Sequence, residues 1–478
     1  MIPFAGFMPD ADDHAQGVIV DCEMLLPSMR GFKGAPALVA QTNALSAACR
    51  GATYVIKLDN TNRLFAGTQT KLYELSGVSW TDVSRVGNYA GGADSAWRFA
   101  QFGDVTIAAN ATDATQKSVT SGAFSDLAGA PRAYVIDTVA GFVMVGNYND
   151  GSAVADGVFW SAYLDYTDWT PDVATQCGNL RLLDTSGEVR ALRKLGANVV
   201  AYKENSMYFG VNNGAPLLWG FNLISDSIGA ISQEAVVSIE TAHFFIGSND
   251  IYMFDAARPI SIGDGIREWF FGDLNSAYAY RIRGAHDRLN ALIYWYYPSA
   301  SSSTLDSCIV FNYKTRKWGR ANRTIEACLE YISGNLTYAG FEATYGTYSG
   351  ILALSYGSPF WTASSPIMAV FDGSHILNTL TGVSVSSSIT TGAIGDDMQM
   401  TTLKRVQPRF INDADTGSMI NYYRMTDGSS YTTDNTVTMS ENRFDVLRSA
   451  RWHKVKTSYT GDVEVHGQSY LLVPSGVE

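Results

Sequence analysis

The sequence predicts an all-β fold: a β-propeller-like array of about six blades, with an extended arm before it and a small β-sandwich after it. Three observations carry this. The first is a hairpin unit written twice in succession. One copy reads Asn198-Val-Val-Ala-Tyr202, the turn Lys-Glu-Asn-Ser, then Met207-Tyr-Phe-Gly-Val211; the next reads Ala242-His-Phe-Phe-Ile246, the turn Gly-Ser-Asn-Asp, then Ile251-Tyr-Met-Phe254. Short apolar runs of β-branched and aromatic residues, split by a polar turn, are hairpin signals. Tyr208 and Tyr252 hold the same place 44 positions apart, and a strand-only period of that length marks propeller blades. The second is composition: charged residues are only 17% while Gly numbers 44, a turn-dense profile. The third is length, because 478 residues exceed one ordinary core and call for an array or several domains.

Residues 1–45 form the arm. Prolines at 3, 9, 27 and 36 and glycines at 6, 17, 31 and 34 deny it regular periodicity, and such a segment lies along another surface. Its Phe4, Phe7, Met8, Met24, Leu25 and Leu26 would be costly to leave in water.

Residues 46–380 form the propeller. Arg63–Gly67 with Leu72–Leu75 repeats the hairpin 135 positions before the core copy, three periods of about 45. Between them fall Asp104–Asn110, and Gly141–Gly146 followed by Val158–Ser161; after the core come Leu292–Tyr297 and Cys308–Tyr313 leading to Trp318. These make about six units. The one helical signal is Ile266–Phe271, a turn or two after Gly263-Asp264-Gly265.

Residues 381–478 form the sandwich. Val383–Thr391 alternates with a polar face, and Val406–Ile411, Met419–Tyr423, Trp452–Lys456 and Val463–Gly467 follow as short strands.

The formal net charge is −12, and residues 400–478 hold nine basic and nine acidic side chains, so the whole excess lies before residue 400. A chain that grips nucleic acid through phosphates carries a basic stripe, which this composition does not supply. Five scattered cysteines (22, 49, 177, 308, 328) without CxxC spacing are expected as reduced, buried thiols of a chain made in the cytoplasm. The N-terminus lacks a basic leader and an apolar segment, and no run reaches the ~20 apolar residues of a membrane span.

Few constellations suggest chemistry, and no catalytic residue, cofactor or metal is expected. The six histidines (14, 243, 286, 375, 453, 466) show no HxxxH or HxH spacing. His243 sits in an apolar strand as a core residue; His453 and His466 could face each other across a hairpin, without a third ligand for zinc. Asp413 and Asp415 could cradle calcium but lack the distal Glu of an EF-hand, so they read as a polar turn. Ser161 to Trp169 resembles the aspartate-box turns of sialidase propellers without their full spacing, and reads as a blade-edge turn with a packing Trp. In the last domain Arg448, Arg451, Lys454 and Lys456 lie within nine residues free of acid. They are the candidate contact for a neighbouring subunit or adaptor, through attraction that salt weakens.

Several stretches together are similar to one family. They are Trp97-Arg-Phe-Ala-Gln-Phe-Gly-Asp104, Ala130-Pro-Arg-Ala-Tyr134, Phe159-Trp-Ser161 with Asp168-Trp169, Gly229-Ala-Ile-Ser-Gln233, and Phe244 to Tyr252, with Arg451-Trp-His-Lys-Val-Lys456 and Gly467 near the end. In order and spacing they resemble the tail-nozzle, or packaged-DNA-stabilisation, proteins of short-tailed bacteriophages. The resemblance implies a virion structural protein without catalysis: a homohexameric ring below the portal and its adaptor, extending the DNA exit channel. It further implies attachment of a tail needle or fibres, retention of packaged DNA, and passage of double-stranded DNA without sequence recognition. Six copies would carry −72, so acidic or neutral groups are expected toward the channel and basic ones at seams or outward. Two other readings fit the same composition: a host-glycan-binding propeller of a tail fibre, and a propeller glycoside hydrolase, whose acids would converge on the axis.

Overall fold

The computed structural model describes residues 1–332 and 366–476. Among the described residues six four-stranded antiparallel sheets stand alone, and a seventh four-stranded unit forms part of a larger sheet. In chain order the seven blades cover residues 51–82, 98–126, 132–181, 189–225, 236–261 and 283–320, with the last built from 325–331, 367–379 and the arm's Val39–Ala40. The first strand of each blade is innermost. These inner strands pack one on the next around a ring, and Ile325–Tyr331 of the seventh blade closes it against Gly51–Ile56 of the first.

Each hairpin read from sequence supplies the middle of a blade. Asn198–Lys203 pairs with Met207–Asn212, and Ala242–Ile246 with Ile251–Phe254, so that Ala201 faces Tyr208 and Phe245 faces Tyr252. The same register puts Ala66 opposite Tyr73 in the first blade. Apolar side chains on both sides of these strands fill the spaces between blades: Tyr202 packs on Phe245 at 4.8 Å and Phe65 on Phe124 at 5.1 Å. Six of the seven hairpins match the sequence units. The seventh, Ile367–Asp372 with Leu377–Thr379, escaped because residues 332–366 separate it from its inner strand and break the period.

The helix falls where the sequence put it, at Arg267–Asp273. A 3₁₀ turn at Ser276–Arg281 follows it. Asp10 of the arm accepts the backbone N–H of Glu268 (2.7 Å) and of Trp269 (2.8 Å), satisfying donors that a first helical turn leaves open.

The last domain is a two-sheet sandwich, but the arm completes both sheets. One sheet runs Gly6–Phe7, Val18–Glu23, Ser387–Thr391, Trp452–Thr460, Thr416–Arg424. The other runs Phe32–Gly34, Glu464–Gly476, Met400–Asn412, Phe444–Ala450, with Ile2–Pro3 added on Glu464–Gly476. This second sheet is continuous with the sixth blade. Arg320 at that blade's outer edge pairs with Leu25, Leu25–Pro27 pairs with Phe32–Gly34, and Phe32 pairs with Val465. Ten strands thus form one sheet shared by propeller, arm and sandwich.

The limit expected at 380 falls between Leu377–Thr379 of the seventh blade and Ser387–Thr391 of the sandwich, but the arm expected at residues 1–45 does not stand apart. Val39–Ala40 is the outer strand of the seventh blade, and the rest of the arm belongs to the sandwich and the sixth blade. Proline and glycine shorten the arm's strands without abolishing them. Its backbone groups find partners on strand edges hundreds of residues away, and composition cannot register such pairings. The arm's predicted packing on another domain holds: Phe4, Phe7, Ile19, Cys22, Leu25 and Phe32 share one buried core with Phe244, Trp295 and Phe311 of the blades and Leu403, Met419 and Val455 of the sandwich. Close approach requires glycine at the seam, where a Cβ on Gly319 would sit 2.4 Å from the Leu25 carbonyl oxygen.

Candidate functional site

The propeller axis holds most of the unusual chemistry among the described residues. Glu234, just ahead of the fifth blade's inner strand, lies largely enclosed at the centre, its side chain 14% exposed. Arg98, opening the second blade, grips it bidentately through one edge of its guanidinium: Nε to Oε1 at 2.7 Å and Nη2 to Oε2 at 3.0 Å. The third donor direction, Nη1, reaches the Tyr134 carbonyl at 2.7 Å, and the Tyr134 ring lies 4.3 Å from the guanidinium. Arg283, opening the sixth blade, approaches Glu234 at 3.4 Å and donates to the Arg50 carbonyl at 3.3 Å. Burial alone would raise the Glu234 carboxyl; the charges of Arg98 and Arg283 outweigh it and hold the group at about 2.

Beside this cluster, Gln233 accepts the Leu192 N–H at 2.7 Å and donates to the Leu192 carbonyl at 3.0 Å. Arg193 Nη2 donates to the Gln233 carbonyl at 3.1 Å. A cavity of about 190 Å³ surrounds these groups, with walls from all seven blades. At the end where the inner strands begin it meets a larger cavity of about 610 Å³, which shares Arg98 and Arg283 with it and adds Arg50, Asp94, Arg281 and Glu326. Asp94 is paired with Arg281, and Glu326 with His375 Nδ1 at 2.6 Å and the Cys49 N–H at 2.8 Å. Five arginines stand against three carboxylates on these two walls. Nε of Arg50, Arg193 and Arg281 is buried without a hydrogen-bond partner.

Three of the stretches that carry the family resemblance meet here: Trp97–Arg98, Tyr134 and Gly229–Gln233. Trp97 donates to the Thr68 carbonyl at 2.8 Å and packs over Gly67, where a Cβ would lie 2.2 Å from the indole. The sequence reading did not single out Arg98, Glu234 or Arg283. Arg98 and Glu234 are 136 positions apart, and only closure of the ring makes them neighbours.

The four basic residues of the last domain stand in different local settings. Arg448 ends in a bidentate pair with Asp434, both contacts 2.8 Å, and lies 4.6 Å over the Tyr423 ring. Lys454 pairs with Asp13 of the arm at 2.8 Å. Arg451 occupies the crossing from Phe444–Ala450 in one sheet to Trp452–Thr460 in the other, and its carbonyl accepts the Asp396 N–H at 3.1 Å. Lys456, half-buried on the same strand as Lys454, contributes to the field at Glu23. Arg448 and Lys454 thus each have an acidic partner within the chain, Asp434 and Asp13.

The remaining candidates resolve locally. His243 is a fully buried core residue, bonded to the Tyr202 hydroxyl and the Lys194 carbonyl, each at 2.9 Å, and burial lowers it to about 4. His453 and His466 lie on strands of different sheets and do not face each other; His453 takes the Thr401 carbonyl and His466 that of Arg30. A hairpin between their strands was the natural sequence reading, but each strand pairs with earlier ones instead. Asp413 and Asp415 fall in the turn between Met400–Asn412 and Thr416–Arg424. Asp165 caps its own turn through Thr167, while Trp169 packs edge-on against Phe159 at 5.4 Å. No group of three His, Cys, Asp or Glu able to hold a metal occurs among the described residues. Burial raises the thiols, Cys49 and Cys177 to about 12. No helix among the described residues is long and apolar enough to cross a membrane.

No protein-family model matches the chain, and no curated protein does. Among solved structures the chain is similar to one described as "YCF48 bound to D1 peptide", with 11% identity over 73% of this chain and 98% of that one, at a TM-score of 0.38. The propeller stands on the closed ring of inner strands.

Proposed function

We propose that this chain is a structural subunit of a short-tailed phage virion, a homohexameric tail nozzle below the portal and adaptor. The observation that carries the reading is the ten-stranded sheet joining the sixth blade, the arm and the sandwich over one buried core. Two domains joined only by a linker would move independently. Here a shared hydrogen-bonded ladder fixes their angle, which suits a part that transmits load without a hinge. The sequence resemblance supports this reading, and so does the formal charge of −12, which suits a surface that does not hold a departing duplex by its phosphates.

In this reading the protein acts by shape. The propeller is a rigid block, the sandwich presents a second block at a set angle, and six copies enclose a passage for double-stranded DNA. A needle or fibres attach at the far end. In this reading Arg448, Arg451, Lys454 and Lys456 are the candidate contact with a neighbouring subunit or adaptor, two of them already pairing with Asp434 and Asp13. Purified protein mixed with the adaptor ring tests this by negative-stain microscopy. Six-fold rings seated on the adaptor are expected. A chain that stays monomeric with the adaptor and is missing from purified particles would refute it. Release of reducing sugar from host envelope, abolished by one carboxylate substitution, would favour the hydrolase instead.

A further inference from the structure

We propose that the mouth of the propeller axis binds a short acidic peptide segment whose carboxylates are taken by Arg50 and its neighbouring arginines. Three features lead there, independently of the virion reading. The first is charge: an acidic chain concentrates five arginines against three carboxylates at one place. All three acids are already engaged, Glu234 by Arg98 and Arg283, Asp94 by Arg281, Glu326 by His375. Arg50 and Arg193 form no ion pair among the described residues, although Arg193 gives one donor to the Gln233 carbonyl. A guanidinium brings five donors in a planar fork that fits carboxylate oxygens, and Nε of both is buried without a partner.

The second is access and size. The cavity of about 610 Å³ lies at the end of the ring where the inner strands begin, and it falls within the range that takes a ligand of several groups. It is too large for one oxyanion. The third is the wall between the charges. Ala48, Ala93, Ala96 and Ala111 leave small apolar surface for a peptide chain, while Tyr134 and Tyr280 offer ring faces and edges. Asp94 on the same wall would oppose the doubled charge of a phosphate more than the single charge of a carboxylate.

The test uses the full chain and fluorescence anisotropy of a labelled hexapeptide alternating Glu and Gly, beside a control with Gln for Glu. Saturable binding of the Glu peptide is expected, weakening with salt, with little binding of the control. Arg50→Ala should weaken it about ten- to a hundredfold, the loss expected for a charge-assisted hydrogen bond, and Arg50→Lys should restore part of it. Arg50→Ala leaves the backbone bonds of residue 50 in place, and an unchanged melting curve certifies its fold. If it fails to fold, Arg50→Lys against wild type gives the same comparison. Inorganic phosphate and citrate serve as competitors. Absence of saturable binding, equal binding of the Gln control, indifference to Arg50→Ala, or displacement by phosphate at peptide-like concentration would each overturn the proposal. The measurement is made in whatever oligomeric state the chain takes, so its failure is distinct from failure of the hexamer.

Discussion

Replacing Glu234 with Gln removes the carboxylate that Arg98 and Arg283 share and leaves them facing a neutral amide. The carboxyl stands at about 2 in the folded chain against an ordinary 4.5. Between those values the unfolded chain binds a proton that the folded chain refuses, so stability falls as pH drops from about 4.5 to 2 and is fully present above 4.5. That interval corresponds to about 3 kcal/mol, in line with the roughly 3–5 kcal/mol lost when one partner of a buried ion pair is removed. Urea unfolding of wild type and Glu234→Gln, followed by tryptophan fluorescence at several pH values, measures it. The expected gap is about 3 kcal/mol at pH 7, closing to about 1 kcal/mol or less near pH 2, where wild type has itself lost the charge. A gap independent of pH, or none at pH 7, would refute the assignment of Glu234 as the ionised centre of the axis.

Other perturbations bear on the seams and the core. Deleting residues 1–30 strips strands from both sandwich sheets and from the bridge to the sixth blade; limited proteolysis should then digest residues 381–476 while the other blades persist. Gly319→Ala drives a Cβ into the Leu25 carbonyl and should cost about 1–3 kcal/mol, as overpacking does, read as a lower urea midpoint. Reversing Arg448 and Lys454 to Glu sets like charges against Asp434 and Asp13, so the double variant should lose stability as an isolated chain. Unchanged unfolding with lost docking would instead mark those residues as interface contacts. His243, held neutral at about 4 against 6.5, should contribute a loss of stability as pH falls from 6.5 to 4, flat below that, and His243→Phe should remove that part of the slope.

What was legible in the sequence follows the range of the forces involved. The blade hairpins are local, with both strands and the turn within about 15 residues, and Ala242–Ile246 with Ile251–Phe254 were found to the residue. His243 was readable as core because its strand is apolar on both faces. The fused sheet was not legible, because Leu25 pairs with Arg320 and Phe32 with Val465 across 295 and 433 positions. The acidic partners of the basic run were hidden for the same reason: Asp13 is remote from Lys454, and Asp434 is 14 positions from Arg448. The axial cluster was hidden most fully. Its members sit one per blade, and nothing in the spacing of Arg98, Glu234 and Arg283 shows them as neighbours before the ring closes.

The central proposal is that this rigid two-block subunit works as a ring of six, and native mass determination of the purified chain with its adaptor tests it most directly. Six copies of 51.9 kDa give 6 × 51.9, about 311 kDa, above the adaptor's own mass. That increment is the predicted result. An increment of one or three copies, or none, would contradict the account.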